Sequence, residues 1–182
     1  MQKLPNIPMS FTARNDYAFK KLFGTEENKD IMIEFLSLVT QLSKDDFDDV
    51  RIENSEYIPR FYNDKIGRLD IKIRLHDGRK IDVEMQNTYF DYYPKRSIFY
   101  CSKLIHEHFM SGFQYTQLKK CIAINVLNSP FKLSGKIHSI YQIRERDEQT
   151  LLDELLEIHF LDLTKLPKEN LTSLEKWLMF IK

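Results

Sequence analysis

The stretch RLDIKIRLHDGRKIDVEMQ, residues 68–86, holds carboxylates at a spacing that could do chemistry. It reads as two alternating runs around His76-Asp77-Gly78. Side chains alternate along a strand. Leu69, Ile71, Ile73 and Leu75 therefore share one face of the first run, and Arg68, Asp70, Lys72 and Arg74 the other. In the second run Ile81, Val83 and Met85 alternate with Asp82, Glu84 and Gln86. A two-residue Asp77-Gly78 turn would pair Arg74 with Ile81 and set polar against apolar on one face. A three-residue loop with Gly78 left-handed predicts the pairs Ile73–Ile81 and Ile71–Val83 instead. Lys72 then opposes Asp82 as an ion pair, and Asp70 opposes Glu84.

Residues opposed across such a ladder have Cβ atoms about 5 Å apart, so two like charges there destabilise the hairpin unless something compensates. Either one carboxyl is protonated or a cation sits between them. Two carboxylates and a backbone carbonyl are hard oxygen ligands of the kind Mg²⁺ or Mn²⁺ takes. Gln86 lies on the same face and can hold a water or a phosphate oxygen. A metal there would polarise a phosphate and activate water for in-line attack. The competing reading is a solvated hairpin face, with Asp70 and Glu84 paired to Arg68 and Lys72 in water.

The flanking sequence supplies the elements that must position these residues. Asn15-Asp16 can cap a short helix through Phe19, Leu22 and Phe23 that stops near Gly24. Ile31, Phe35, Leu38, Val39 and Leu42 form a helical stripe over 28–42. Residues 45–49, DDFDD, read as a solvated turn, and 50–60 as a strand. Pro94 can open a helix that ends at Gly112. The run CIAINVL, 121–127, suits a central buried strand. Residues 137–143 and 156–163 are further strands, and a last helix starts near Thr172 or Ser173. No cap signal follows Ile181, so the chain reads as cut inside or just after a helix. This order predicts an α/β domain with a mixed sheet.

A chain of 182 residues with 42% hydrophobic and 30% charged residues suits one domain with its own core. Its formal net charge of zero excludes a global pull toward nucleic acid or anionic membrane, so any nucleic-acid contact needs a local basic patch. Cys101 and Cys121 read as buried thiols of a reducing compartment. The start, MQKLPNIPMS, lacks the apolar run of a signal peptide, and no segment has the length of a membrane span. A cytoplasmic protein is expected. His106, His108, His138 and His159 show no zinc-ligand spacing and read as structural or surface residues.

Three stretches match a known pattern together and in order: NDYAFKKLFGTEENKDIMIEFLS, RLDIKIRLHDGRKIDVEMQ and KRSIFYCSKLIHEHFMSGFQYTQLKKCIAINVL. IHFLDLTKL and EKWLMFIK continue the match. The chain resembles the PD-(D/E)XK family of transposases, also called recombination-promoting nucleases, found mainly in bacteria. The resemblance implies a restriction-endonuclease-like αβββαβ core over 1–130, with C-terminal strands and the start of a helical extension over 131–182. It implies a Mg²⁺- or Mn²⁺-dependent DNA endonuclease whose acidic pair maps onto Asp70 and Glu84. The general motif places a lysine two residues after the Glu. Gln86 stands there, as in the E-x-Q of this branch, and a neutral amide orients water and balances charge less well. Weak activity, or a nuclease fold kept only to bind DNA or a protein, follows as the alternative.

Further residues take two readings each. Lys72 could substitute for the missing lysine, though the hairpin register ties it to Asp82. Glu34 is either the extra acidic metal ligand this fold often adds or a surface glutamate. Asp16 and Lys20 belong to the family's D-x-x-F-K pattern, Asp16 as a helix cap and Lys20 as a phosphate contact or a surface lysine. Arg96, Tyr100 and Lys103 share a helical stripe just after the strand of Glu84. Arg96 is the candidate phosphate clamp, since its planar fork matches phosphate, and Tyr100 is read as packing. A homodimer would suit a double-strand break, but no residue specifies one.

Overall fold

The computed structural model describes Ala13 and residues 16–53, 71–107 and 114–182. Helix α1 spans Asp16–Phe23 and α2 spans Lys29–Thr40. Strands β1 (Arg51–Glu53), β2 (Ile71–Arg74) and β3 (Lys80–Gln86) follow. Then come α3 (Tyr93–His106), β4 (Cys121–Leu127), β5 (His138–Gln142), β6 (Leu156–Asp162) and α4 (Ser173–Ile181). From α2 to β4 the order is αβββαβ, as expected. The expected continuation of β1 to residue 60, the Asn15 cap, and the end of α3 at residue 112 fall outside the described residues.

Six strands form one mixed sheet in the order β1-β2-β3-β4-β6-β5. β1, β2 and β3 are antiparallel, β3, β4 and β6 parallel, and β5 returns antiparallel to β6. β4 is buried at all seven positions, which is why its sequence is continuously apolar but for Asn125. Residues 131–182 add two strands to this sheet, and α4 places Leu178 and Ile181 in the same core as β2 and β3.

The hairpin has the predicted register. Ile71 pairs with Val83, Lys72 with Asp82 and Ile73 with Ile81. Leu75 N–H donates to Arg79 C=O at 2.9 Å, which leaves His76-Asp77-Gly78 as the loop. Gly78 has φ of 92°, a left-handed conformation that a side chain would strain. At the end of α1, Gly24 N–H donates to Lys20 C=O at 2.8 Å, and a Cβ there would lie 2.6 Å from that oxygen.

The two faces of the sheet are both covered. Ile71, Ile73, Ile81 and Val83 pack with Phe19, Phe23, Phe35 and Leu36 of α1 and α2. The opposite face carries α3, with Cys101 packed among Ala123, Leu127 and Phe160. The polar face of β3 is therefore not solvated: Lys80, Asp82 and Glu84 are 1%, 1% and 2% exposed. The solvated-face reading fails here, because α3 crosses the strand whose alternation looked half-exposed. Residues 45–49 are a solvated turn at Asp45, Asp48 and Asp49 and depart from one at two positions. Phe47 is buried, and Asp46 binds Arg79 at 2.6 Å and closes a capping box with Ser43.

Candidate active site

Glu84 sits near the C-terminal end of β3, and Gln86 follows two residues on along the same face. The loop after Gln86 turns the chain back over this face, and α3 begins at Tyr93 with Pro94 in its first turn. This return delivers two side chains to Glu84. Arg96 Nη2 lies 2.6 Å from Glu84 Oε2, and Gln86 Nε2 donates to the same oxygen at 2.9 Å. The Tyr93 hydroxyl donates to Gln86 Oε1. Gln86 is thus held at both ends of its amide. Arg96 also stacks its guanidinium near the Tyr93 and Tyr100 rings, 5.5 and 5.0 Å from their centroids.

The electrostatics follow from this packing. Burial is the largest influence on Arg96 and works against its charge, but the Glu84 carboxylate together with Tyr100 and Tyr93 more than reverses it and raises the guanidinium pKa. Burial pushes the Tyr93 and Tyr100 hydroxyls above their ordinary values. Arg96 therefore stays charged and the Tyr93 hydroxyl stays protonated at neutral pH. Behind Glu84, its neighbour on β4 is Asn125. Asn125 accepts from Ser97 Oγ at 2.8 Å and donates to the His159 carbonyl at 3.1 Å, which locks α3 to the sheet under the site.

Further along the same face lies a second charged group. Lys72 Nζ meets Glu107 at 2.7 Å and Glu53 at 2.9 Å. Lys80 Nζ meets the same Glu107 oxygen at 2.9 Å and the Leu104 carbonyl at 3.3 Å. The expected Lys72–Asp82 ion pair is corrected here: the two residues are opposite in register, but Lys72 binds the acids of β1 and of the residue after α3. Burial lowers the Lys72 pKa and the Glu107 and Glu53 hydrogen bonds more than reverse it, so its ammonium stays charged. Its amine is therefore directed away from Gln86, and the structure does not bring Lys72 into the position of the missing lysine.

The remaining candidates are placed as follows. Asp70, the other half of the expected acidic pair, lies outside the described residues, as does the Asp16 side chain. Glu34 is exposed on α2, in the layer on the other side of the sheet, and accepts from Trp177 Nε1 at 3.4 Å; it is not brought to Glu84. Lys20 lies on α1, in that same layer. Tyr93 was not singled out from the sequence. Its position seven residues after Gln86, at the first turn of a helix opened by Pro94, is the signal that could have found it.

The Glu84 carboxylate is a hard oxygen donor of the kind a divalent cation takes, although its Oε2 is held here by Arg96 and by the Gln86 amide nitrogen. Among the described residues, no three His, Cys, Asp or Glu side chains are grouped to hold a metal. No described helix is long and apolar enough to cross a membrane. Neither a search of curated proteins nor one of solved structures gave a match. The family described as PD-(D/E)XK nuclease family transposase matches residues 13–182, with Glu84, Gln86 and Arg96 inside the match. By a match over nearly its whole length, this chain belongs to the PD-(D/E)XK nuclease family transposases.

Proposed function

We propose that the chain is a metal-dependent endodeoxyribonuclease acting in transposition or recombination, with Asp70, Glu84 and Gln86 as its catalytic group. The observation that carries this reading is the buried Glu84, joined on one face by Gln86 and Arg96. A carboxylate 2% exposed is costly to bury unless it is paired. The Ile71–Val83 pair agrees with the register from which the sequence predicts Asp70 as the partner of Glu84, and Asp70 is the proposed second acid. Asp70 and Glu84 would hold Mg²⁺ or Mn²⁺, and that ion would supply Lewis-acid polarisation of the phosphate and a more acidic water.

The chain's own residues do the positioning. Gln86, fixed by Tyr93, presents its amide beside Glu84. Arg96 neutralises Glu84 at rest and has the planar fork to take a phosphate oxygen when substrate arrives. Nicking of supercoiled plasmid with Mg²⁺ or Mn²⁺ tests the reading. Cleavage abolished by EDTA, by Asp70→Ala and by Glu84→Ala supports it; near-normal nicking by either variant sinks it.

One observation favours a second reading. Gln86 carries no charge, and Arg96 already occupies Glu84. A nuclease fold kept only for binding would retain DNA affinity with no turnover, insensitive to chelator. DNA binding that weakens with salt, with no nicking by folded protein, would select it.

A further inference from the structure

We propose that the stacked rings of Phe90 and Tyr92 form a seat for an unpaired DNA base, so that the substrate carries unpaired nucleotides beside the bond to be cut. The proposal rests on the nuclease reading above and names its substrate class. The two rings lie in the loop between β3 and α3, 46% and 54% exposed. They are parallel within 4°, with centroids 5.2 Å apart. Aromatic side chains bury large areas when a core will take them. Here two of them stack on each other at the surface, each about half exposed.

The seat is coupled to the site by direct contact. The Tyr93 ring lies 5.9 Å from Phe90 and 5.6 Å from Tyr92, and its hydroxyl is the one that holds Gln86. A base on the stack would thus sit one ring away from Gln86, Arg96 and Glu84. The charge beside the rings is mixed: Asp91, between them in the chain, is exposed and pairs with Lys132 at 2.8 Å. The α3 sequence, YPKRSIFYCSKLIH, carries Lys95, Arg96 and Lys103 and no acid, in a chain whose net charge is zero. Arg96 is paired with Glu84 and Lys103 sits over Phe99 at 4.7 Å, so Lys95, exposed in the first turn of α3, is the cation offered to a phosphate beside such a base.

The geometry favours an unpaired base over intact duplex. Every base offers a π-face to an aromatic ring, and stacking of this kind tolerates sequence. In a duplex both faces are already covered by neighbouring pairs. A ring pair standing beside the site is of use to a strand whose base is splayed out: a frayed end, a gap or a single-stranded junction.

The test is fluorescence anisotropy in EDTA, so that binding is read without cleavage. The full chain and Phe90→Leu/Tyr92→Leu are titrated with a single strand, the same strand made abasic, and a blunt duplex. Leucine keeps apolar contact with Tyr93 and removes the flat faces; Tyr92→Leu alone serves as the milder variant, and melting temperature checks both. Stacking on this scale predicts that the double variant binds the single strand about tenfold more weakly and Tyr92→Leu about threefold, with the duplex and the abasic strand changed less than about twofold. A single-strand affinity unmoved by both variants overturns the seat, as does an equal loss for duplex. Wild-type binding to duplex alone overturns the seat and leaves the nuclease reading standing. Wild type that binds none of the three probes and does not nick plasmid removes the nuclease reading itself.

Discussion

Arg96→Met removes the one described cation beside Glu84 and leaves the rest of the group in place. Methionine is long and adaptable enough to keep covering the Tyr93 and Tyr100 rings. Breaking a buried ion pair by deleting one partner costs about 3–5 kcal/mol, because the other charge is left uncompensated. Glu84 is nearly fully buried, but the Arg96 side chain is 30% exposed, and Gln86 still donates to Glu84 Oε2. These reduce the expected loss to about 2–3 kcal/mol, including about 0.5–1 kcal/mol of guanidinium–ring attraction. For a chain of this size that lowers Tm by about 4–12 °C. Differential scanning fluorimetry reads it directly. Glu84→Gln in the same background should recover most of the loss, since a neutral amide needs no counter-charge. A cation that binds Glu84 stabilises by mass action, so Mg²⁺ should raise the Tm of Arg96→Met more than that of wild type, where the guanidinium competes. An Arg96→Met variant as stable as wild type, or a double variant no better than the single, would refute the pairing as the force that holds α3 over Glu84.

Two other predictions concern groups away from the site. His138 Nε2 and His159 Nδ1 are 2.8 Å apart, and His159 Nε2 lies 2.7 Å from Glu157 Oε1. Burial, then the neighbouring His159, lower the His138 pKa from 6.5 to about 4. The unfolded chain then binds a proton that the folded chain refuses, so stability is full above pH 6.5 and falls as pH drops toward 4. A shift of this size corresponds to about 3 kcal/mol at most, and solvent screening of the part-buried ring cuts it to about 1–2 kcal/mol. Urea midpoints should fall less steeply over that window in His138→Gln than in wild type; parallel curves would show that His138 is not the group. Cys101 and Cys121 are 0% exposed, and burial pushes Cys121 up to about 12 and Cys101 higher still. Both thiols should react with a thiol-exchange dye only after unfolding in urea, and rapid reaction of the native chain would contradict this burial.

The hairpin was legible in the sequence because two local signals agree. Gly78 demands a left-handed turn, and the alternation admits one register without mixing faces. What the alternation could not tell was that the polar face is covered. That depends on where α3 lands, and the covering residues Tyr93, Ser97 and Tyr100 are polar enough to pass for a surface. Lys72 shows the same limit. Its register partner Asp82 was readable, but its ion-pair partners Glu53 and Glu107 come from β1 and from the residue after α3, 35 residues away in the second case. Glu34 sits beside the predicted stripe, of which Phe35 and Val39 are buried while Met32 and Leu36 complete the buried face unforeseen, and a stripe does not say which side of the sheet its helix will cover. His138 and His159 meet because β5 and β6 are antiparallel neighbours, a pairing that no spacing in the sequence encodes. Arg96 was readable as a neighbour of the Glu84 strand end from its place just past β3, but its contact with the carboxylate was not, since the fork suits phosphate and carboxylate alike.

Gln86 is more than a lysine with its charge removed. A lysine at this position could donate to Glu84, as the Gln86 amide nitrogen does at 2.9 Å. It has no oxygen with which to accept the Tyr93 hydroxyl. That hydroxyl belongs to a ring in contact with both Phe90 and Tyr92, so the amide joins the acid to the loop that shapes the site's edge. The positive charge a lysine would bring is supplied instead by Arg96, from the second turn of α3 rather than from the strand. A guanidinium neutralises a carboxylate as well as an ammonium does, but it does not give up a proton in proteins. On the nuclease reading, glutamine at this position keeps the charge balance around Glu84, through Arg96, without a titrating group of its own. On the nuclease reading proposed above, neither Gln86 nor Arg96 can take a proton from an attacking water, so Asp70→Ala and Glu84→Ala are expected to abolish plasmid nicking and Gln86→Ala only to reduce it.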